Sequence, residues 1–572
     1  MRMAVTVACS IAASVSHARA QAGTAVHPGP LVPTRPSPGV GAIGPVDRFP
    51  YAPGIDVQHY DLALTLPARG SEVRGVATLT VLRDRAVDTL RLDLIALSVD
   101  TVTVNGRARD VIRDSATVRV PLRSSDGSRL RVVVRYHGAP RDGLIVREDS
   151  TRGWSAFGDN WPNRARFWIP SIDHPSDKAT VSWRVTAPAG RTVVANGTRL
   201  TRGAPVSHRD GIPWVTTRFA MSQPIPTYLM VIGAATLRET RLGRTACGAG
   251  PDGGCVPQSV WTFVPETPTM PGNFREAGRI VSTFAALAGP FAYAHLDHVQ
   301  SATRFGGMEN ATAIFYSDQA FRTQGVGVSL IAHETAHQWF GDAVTPQRWA
   351  DLWLSEGFAT YFAAVYTQRS RGDSAFRAEL QRIRGEILAA PVVVERPVVD
   401  SVGSAMPMSL LNANSYQKGG FVLHMLRVQL GDPAFFGALR DYQRRYRHGT
   451  ATTDNLQRLL ERRAGTSLTP FFAQWLHRPG WAEWTITWTW RAETSSLVMQ
   501  VVQGTRFAPF AAPLTLVVRD RDGRETMVRT QVSAVPSQQV VVKVPGVRDV
   551  ADLVADPRVE LLGTVTLLHA MP

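Results

Sequence analysis

The chain has 572 residues, 44% of them hydrophobic and 19% charged, with a formal net charge of +15. At roughly 100–200 residues per domain this is a multidomain protein, and its apolar fraction excludes disordered, collagen-like and coiled-coil chains. Nearly all the positive charge is Arg, the lysines being Lys178, Lys418 and Lys543; without basic blocks or a nucleic-acid module, this reads as a solvated basic surface, and nucleic acid is set aside as a partner.

Arg2 precedes an apolar stretch over 4–15, and Ala18, Arg19 and Ala20 place small residues around a cleavage point. Residues 1–20 therefore read as an export signal, leaving a periplasmic or secreted protein. Residues 21–46 hold eleven Gly or Pro in 26 positions, the composition of an extended linker. No uninterrupted apolar run reaches the roughly 20 residues of a membrane-spanning helix, so no transmembrane segment is expected.

Residues 47–265 read as an N-terminal β domain. YDLALTL (60–66) and ATLTVL (77–82) alternate apolar and polar, and LRVVVRY (130–136) is β-branched. Within this span Cys247 and Cys255 flank a Gly-rich loop. In an oxidising compartment they predict a local disulfide, because no His or third Cys lies near enough in sequence to suggest a metal site.

The period turns helical over 266–480, and here the sharpest pattern occurs. His333 and His337 are four apart, one helical turn, so both imidazoles can reach one ion, and Glu334 between them can lean toward a water. A buried His pair in an amphipathic helix is the structural alternative. Glu356, nineteen positions after His337 on a second helical stretch, supplies a third ligand if the turn over 341–347 folds the helices back on each other. Three ligands with an open fourth position describe a catalytic zinc site. Glu334 is then the general base. Thr360, one turn beyond Glu356, is either a supporting hydrogen-bond partner or a packing hydroxyl. Tyr416 is a candidate oxyanion donor, with a structural role as the alternative. Alternation returns over 481–572 in TITWTW, SLVMQVVQ and LTLVVRD, a small C-terminal β-sandwich domain.

Several ordered motifs now stand together: RFWIPSIDHPSDKATVSWRVTAP (166–188), RFGGMEN (304–310), HETAHQWFGD followed by WLSEGFA, YQKG (416–419), FFAQWLHRPG (471–480) and VADPRVELL (554–562). They resemble those of the aminopeptidase N family of zinc metallopeptidases, which also includes leukotriene hydrolase. The resemblance runs from about residue 60 to 562. It implies a multidomain α+β fold: an N-terminal β-sandwich-like domain, a thermolysin-like, mainly helical zinc catalytic domain, and a small C-terminal β-sandwich.

The resemblance also implies one catalytic Zn2+ held by His333, His337 and Glu356, with Glu334 as base and Tyr416 stabilising the transition state. Glu309 would bind a peptide's free α-ammonium. The backbone of Gly306, Gly307 and Met308, in the motif that ends with Asn310, would pair with the peptide as an added strand. The implied function is hydrolysis of the N-terminal peptide bond of peptides with a free N-terminus. Three departures stand out: Gly307 replaces a commoner Ala, Ser355 replaces a common Asn, and no Gln or Glu around 154–161 supplies a second ammonium contact. An endopeptidase of the same zinc class and an inactive peptide-binding module are the competing readings.

Overall fold

Alternating apolar and polar residues send one face of a strand into a core and leave the other to water. In the computed structural model, which describes residue 47 and residues 51–207, 211–264, 272–323 and 325–570, this pattern builds a nine-stranded sheet. Its main path runs Thr198–Arg202, Pro213–Pro226, Lys178–Pro188, Ile55–Thr65, Val73–Arg83, Arg129–Gly138, Ser98–Val104, Arg107–Ala108. Lys178–Pro188 and Ile55–Thr65 run parallel and the other pairs antiparallel. Tyr60, Leu62, Val181 and Trp183 lie on the buried face. A four-stranded and a three-stranded sheet complete this β-rich domain. The expected export signal (1–20) and linker (21–46) lie outside the described residues.

The catalytic unit begins earlier than its helical period suggested. Leu237–Arg244 and Pro257–Phe263 join Leu296–Ser301, Ala313–Ser317 and the short edge strand Gly307–Met308 in one five-stranded sheet. The expected boundary between 265 and 266 therefore cuts through a sheet. Alternation marks a segment as strand but does not say which sheet it joins, and Gln258–Trp261 pair with Leu296–Val299. The loop between the first two strands carries the Cys247–Cys255 disulfide.

Behind this sheet lie the helices α1 (Ala277–Ala288), α2 (Val328–His337), α3 (Trp353–Arg371), α4 (Asp373–Ala389) and α5 (Gly419–Leu430). Every residue of α2 from Leu330 to His337 is buried, as in a core helix rather than a surface one. The connection from α2 to α3 passes through Gly341 at φ +124°, where a side chain would be strained and a Cβ would strike Ser355 Oγ. Phe340 and Phe358 stack at 4.2 Å between ring centroids and close the α2–α3 interface. The C-terminal domain is a sandwich of a four-stranded and a three-stranded sheet. Among the described residues no helix is long and apolar enough to cross a membrane.

The first domain grips the loops of the catalytic unit. Lys178 Nζ donates to the carbonyls of Asp342 (2.8 Å), Gly449 (3.0 Å) and Ala343 (3.1 Å). Asn196 Nδ2 donates to the Ala311 carbonyl, and the Gly197 N–H to Thr312 Oγ1, each at 2.8 Å. On the other side, His424 of α5 bonds the Val559 carbonyl through Nε2 at 3.1 Å, tying the C-terminal domain to the helices.

Burial pushes the imidazoles of His298 and His424 each down to about 3. Both rings are neutral in the fold and free to charge near pH 6.5 when unfolded. Their share of stability is therefore whole above pH 6.5 and is lost as the pH falls toward 3, on the order of 2 kcal/mol per ring by pH 5. Calorimetric unfolding midpoints should drop across this window. His424→Gln, which keeps a donor for Val559 and does not titrate, should flatten the drop; an unchanged pH slope would remove His424 as a source.

Candidate metal centre

The helical period aligns His333 and His337 on one face of α2, and the turn through Gly341 returns α3 antiparallel beside it. The Nε2 atoms of the two histidines stand 3.2 Å apart, and each is 3.3 Å from Glu356 Oε2. His337 Nδ1 lies 3.2 Å from the Phe340 carbonyl and 3.0 Å from Ser355 Oγ. A proton on Nδ1, donated to that carbonyl, leaves the Nε2 lone pair facing the cluster. Ser355 thus orients a ligand, a role its sequence position did not announce.

Glu309 and Glu334 approach the same place: ligand atoms of Glu309, Glu334 and His337 lie within 4.8 Å of one another. Five ionisable groups meet here, none more than 5% exposed. Burial pushes Glu309 up to about 7 and Glu334 well above the usual carboxylate range, while the two imidazoles hold Glu356 down despite its burial. Three carboxylates and two imidazoles, with nitrogen and oxygen donors converging at 3.2–3.3 Å, are a costly arrangement without a cation and a fitting one around it. Two His and one carboxylate is a donor set of catalytic zinc.

Close backbone packing brings Tyr416 in. A Cβ on Gly357 would lie 2.9 Å from the Gly419 carbonyl carbon, so only glycines let α3 and α5 cross at this distance. Glu356 precedes Gly357, and Tyr416 sits one turn before Gly419, in the π-helical turn Asn414–Lys418. The Tyr416 ring lies parallel to His333 at 6.0 Å. Burial, with Glu356 and Glu309 nearby, raises the phenol well above its ordinary value, so it is a donor.

A small cavity joins these groups: Trp161, Phe305, Gly307, Met308, Glu309, His333, Glu334, His337, Glu356, Leu411 and Tyr416 line it. Gly307 and Met308 form the edge strand of the five-stranded sheet, pairing with Tyr316 and Phe315 on one side only. A Cβ at Gly307 would meet the Glu334 carboxylate, so the strand edge and this carboxylate lie in direct proximity. Gln338 fixes the segment behind it, donating to the Glu309 carbonyl at 2.9 Å and to Asp342 Oδ2 at 2.7 Å.

Not every expected residue faces the cavity. Gly306 accepts from the Ser317 N–H at 3.1 Å and lies behind the lining, and Asn310 is fully buried. The Thr360 hydroxyl has no hydrogen-bond partner among the described residues, which favours packing over support of a ligand. From the first domain comes Trp161 rather than a carboxylate or carboxamide. Its ring stands 6.0 Å from Phe305 and 5.5 Å from Trp349, edge to face. Sequence reasoning missed Trp161, Phe305 and Leu411, because single apolar residues carry no periodic signal.

Comparison with known proteins identifies the family. Residues 56–229 match the peptidase M1 N-terminal domain and residues 277–475 the peptidase family M1 domain. The chain is 23% identical to a leucyl aminopeptidase of Saccharolobus solfataricus over 453 residues, 75% of this chain and 54% of that protein. It is 25% identical to leukotriene A-4 hydrolase of Xenopus laevis over 443 residues, 71% of this chain and 68% of the hydrolase. A solved M1 zinc metallopeptidase from Deinococcus radiodurans superposes with a TM-score of 0.64 at 26% identity, covering 74% of this chain and 95% of that one. The chain spans about half the length of several curated aminopeptidases it matches.

The protein should hold one zinc per chain. His337→Ala should lose it, whereas Glu334→Gln, which removes no donor of the His–His–Glu set, should keep it. Metal content by mass spectrometry and the unfolding midpoint before and after chelation read both. Equal zinc loss in the two variants would contradict the separation of ligand and base.

Proposed function

Because this chain belongs to peptidase family M1, we propose that it is an exported zinc aminopeptidase that hydrolyses the first peptide bond of peptides with a free N-terminus. The observation that carries this reading is Glu309: a buried carboxylate beside the metal donors, next to an unpaired strand edge. A peptide's α-ammonium is the cation that suits it, and the Gly307–Met308 edge can take an extended backbone as a further strand whatever its side chains.

His333, His337 and Glu356 would hold the zinc ion, which would supply Lewis-acid polarisation of the scissile carbonyl and acidify water when bound. The remaining chemistry belongs to side chains. Glu309 pairs with the ammonium and so sets which carbonyl reaches the donor cluster. Glu334 takes a proton from the attacking water and delivers it to the departing amine as the C–N bond breaks. Tyr416 donates to the carbonyl oxygen as negative charge gathers there. Trp161 and Phe305 keep the chamber apolar on one side, which strengthens these charge contacts.

Export rests on the signal-like residues 1–20, and the Cys247–Cys255 disulfide suits an oxidising compartment.

An N-acetylated peptide brings a neutral amide to Glu309 and leaves that carboxylate buried without its partner, a cost of about 3–5 kcal/mol. Free-amine aminoacyl arylamides should therefore exceed their acetylated forms by about 10²–10⁴ in kcat/KM. Comparable cleavage inside N-blocked peptides would make the protein an endopeptidase instead.

Two substitutions test the chemistry. Glu334→Gln should lower kcat by about 10²–10⁴, and Tyr416→Phe by about 10²–10³ with kcat/KM falling in parallel. Steady-state kinetics on one arylamide suffices. Wild-type kcat in either variant would remove that residue from the mechanism.

A further inference from the structure

Between Asp400 and Lys418 the chain carries no charged residue, although 19% of its residues are charged. Within this stretch Val402 is 82% exposed, Met406 63% and Met408 45%. The segment that presents them is firmly held from below. Arg396 pairs with the buried Asp400, whose Oδ1 accepts from the Gly403 N–H at 2.7 Å. Ser404 Oγ donates to the Ser401 carbonyl at 2.7 Å, Ser409 Oγ to the Gly403 carbonyl at 3.2 Å, and Asn412 Nδ2 to the Ser409 carbonyl at 2.7 Å. Two successive 3-10 turns, Gly403–Ala405 and Pro407–Leu410, thus hold three large apolar side chains in water.

One residue of this stretch reaches the cavity. Leu411, directly after the second turn, lines the cavity with Trp161 and Tyr416. Both turns touch Trp349–Asp351, and Trp349 backs Trp161. The donor cluster and Glu309 form the floor, at 1–5% exposure. A peptide whose ammonium sits on that floor can leave only outward, at about 3.3–3.6 Å per extended residue. Its second and third residues are the ones that meet the rim.

We propose that Val402, Met406 and Met408 form an apolar platform that binds the second and third residues of the peptide substrate and selects apolar over acidic side chains there. The proposal rests on the aminopeptidase reading. Exposed methionines suit it, being flexible and polarisable enough to cover differently shaped apolar groups. It also runs against simple electrostatics, since a net charge of +15 favours acidic peptides at long range.

The test compares Ala-Leu-Phe-Gly with Ala-Asp-Asp-Gly, and uses alanine amide, whose leaving group is ammonia and cannot reach the rim. The unsubstituted enzyme should prefer the apolar peptide by about tenfold in kcat/KM. Val402→Ser, Met406→Ser and Met408→Ser combined should abolish that preference, mainly through KM, and leave alanine amide unchanged. Met406→Lys should raise the relative rate on the acidic peptide. An unchanged preference in both variants overturns the platform, as does a parallel loss on alanine amide, which marks a general defect of the site. If the Ser variant converts a dimer to a monomer in sedimentation while peptide kinetics stay the same, the patch joins copies of the chain and the proposal falls. Absence of turnover of all three substrates by the unsubstituted enzyme would retract the aminopeptidase reading itself, and the platform with it.

Discussion

Everything at the centre of this protein is arranged around a burial problem: His333, His337, Glu309, Glu334 and Glu356 meet at 1–5% exposure. Three carboxylates cannot share such a space at ordinary cost unless positive charge is brought to them. The fold meets part of that need with two imidazoles. A divalent cation meets more of it, and the ammonium of a peptide can meet the rest. In the proposed function, metal affinity, recognition of a free N-terminus and proton transfer draw on one shared electrostatic deficit.

Holding such a cluster requires rigid surroundings, because any slack would let water in or let the charges separate. The α2–α3 pair is closed by the Phe340–Phe358 stack, and α3 meets α5 backbone to backbone through Gly357 and Gly419. Ser355 and the Phe340 carbonyl set the orientation of His337. Gln338 couples the metal helix to the Glu309 segment, so the distance between metal donors and the ammonium site is a property of one hydrogen-bonded unit. The first domain adds Lys178 and Asn196 from strands and loops far away in sequence, which makes the catalytic loops depend on correct docking of the β-rich domain.

The first domain also supplies the cavity's most distinctive wall. Trp161 lines the cavity, and with Phe305 it turns one side of the chamber apolar. That leaves Glu309 as the acidic lining residue outside the zinc ligands and Glu334. On the aminopeptidase reading we propose, recognition of the substrate amine falls to this one carboxylate.

The shared face of His333 and His337 was legible without coordinates, because a helix repeats every 3.6 residues. The order of β, helical and β regions was legible for the same reason, each period being local. Glu356 followed from counting a turn, and Tyr416 and Glu309 from resemblance. What no local period could report was which sheet a strand enters, so the pairing of the 237–263 strands with Leu296–Ser301 came only from the structure. The same holds for Trp161, Ser355, Lys178 and the exposed Met406 and Met408. Their roles arise from contacts or exposure set by chain segments up to 271 positions away. Chemistry carried by spacing within one helix belongs to the sequence; walls, orientation and access belong to the packing of distant segments, and only the tertiary structure decides them.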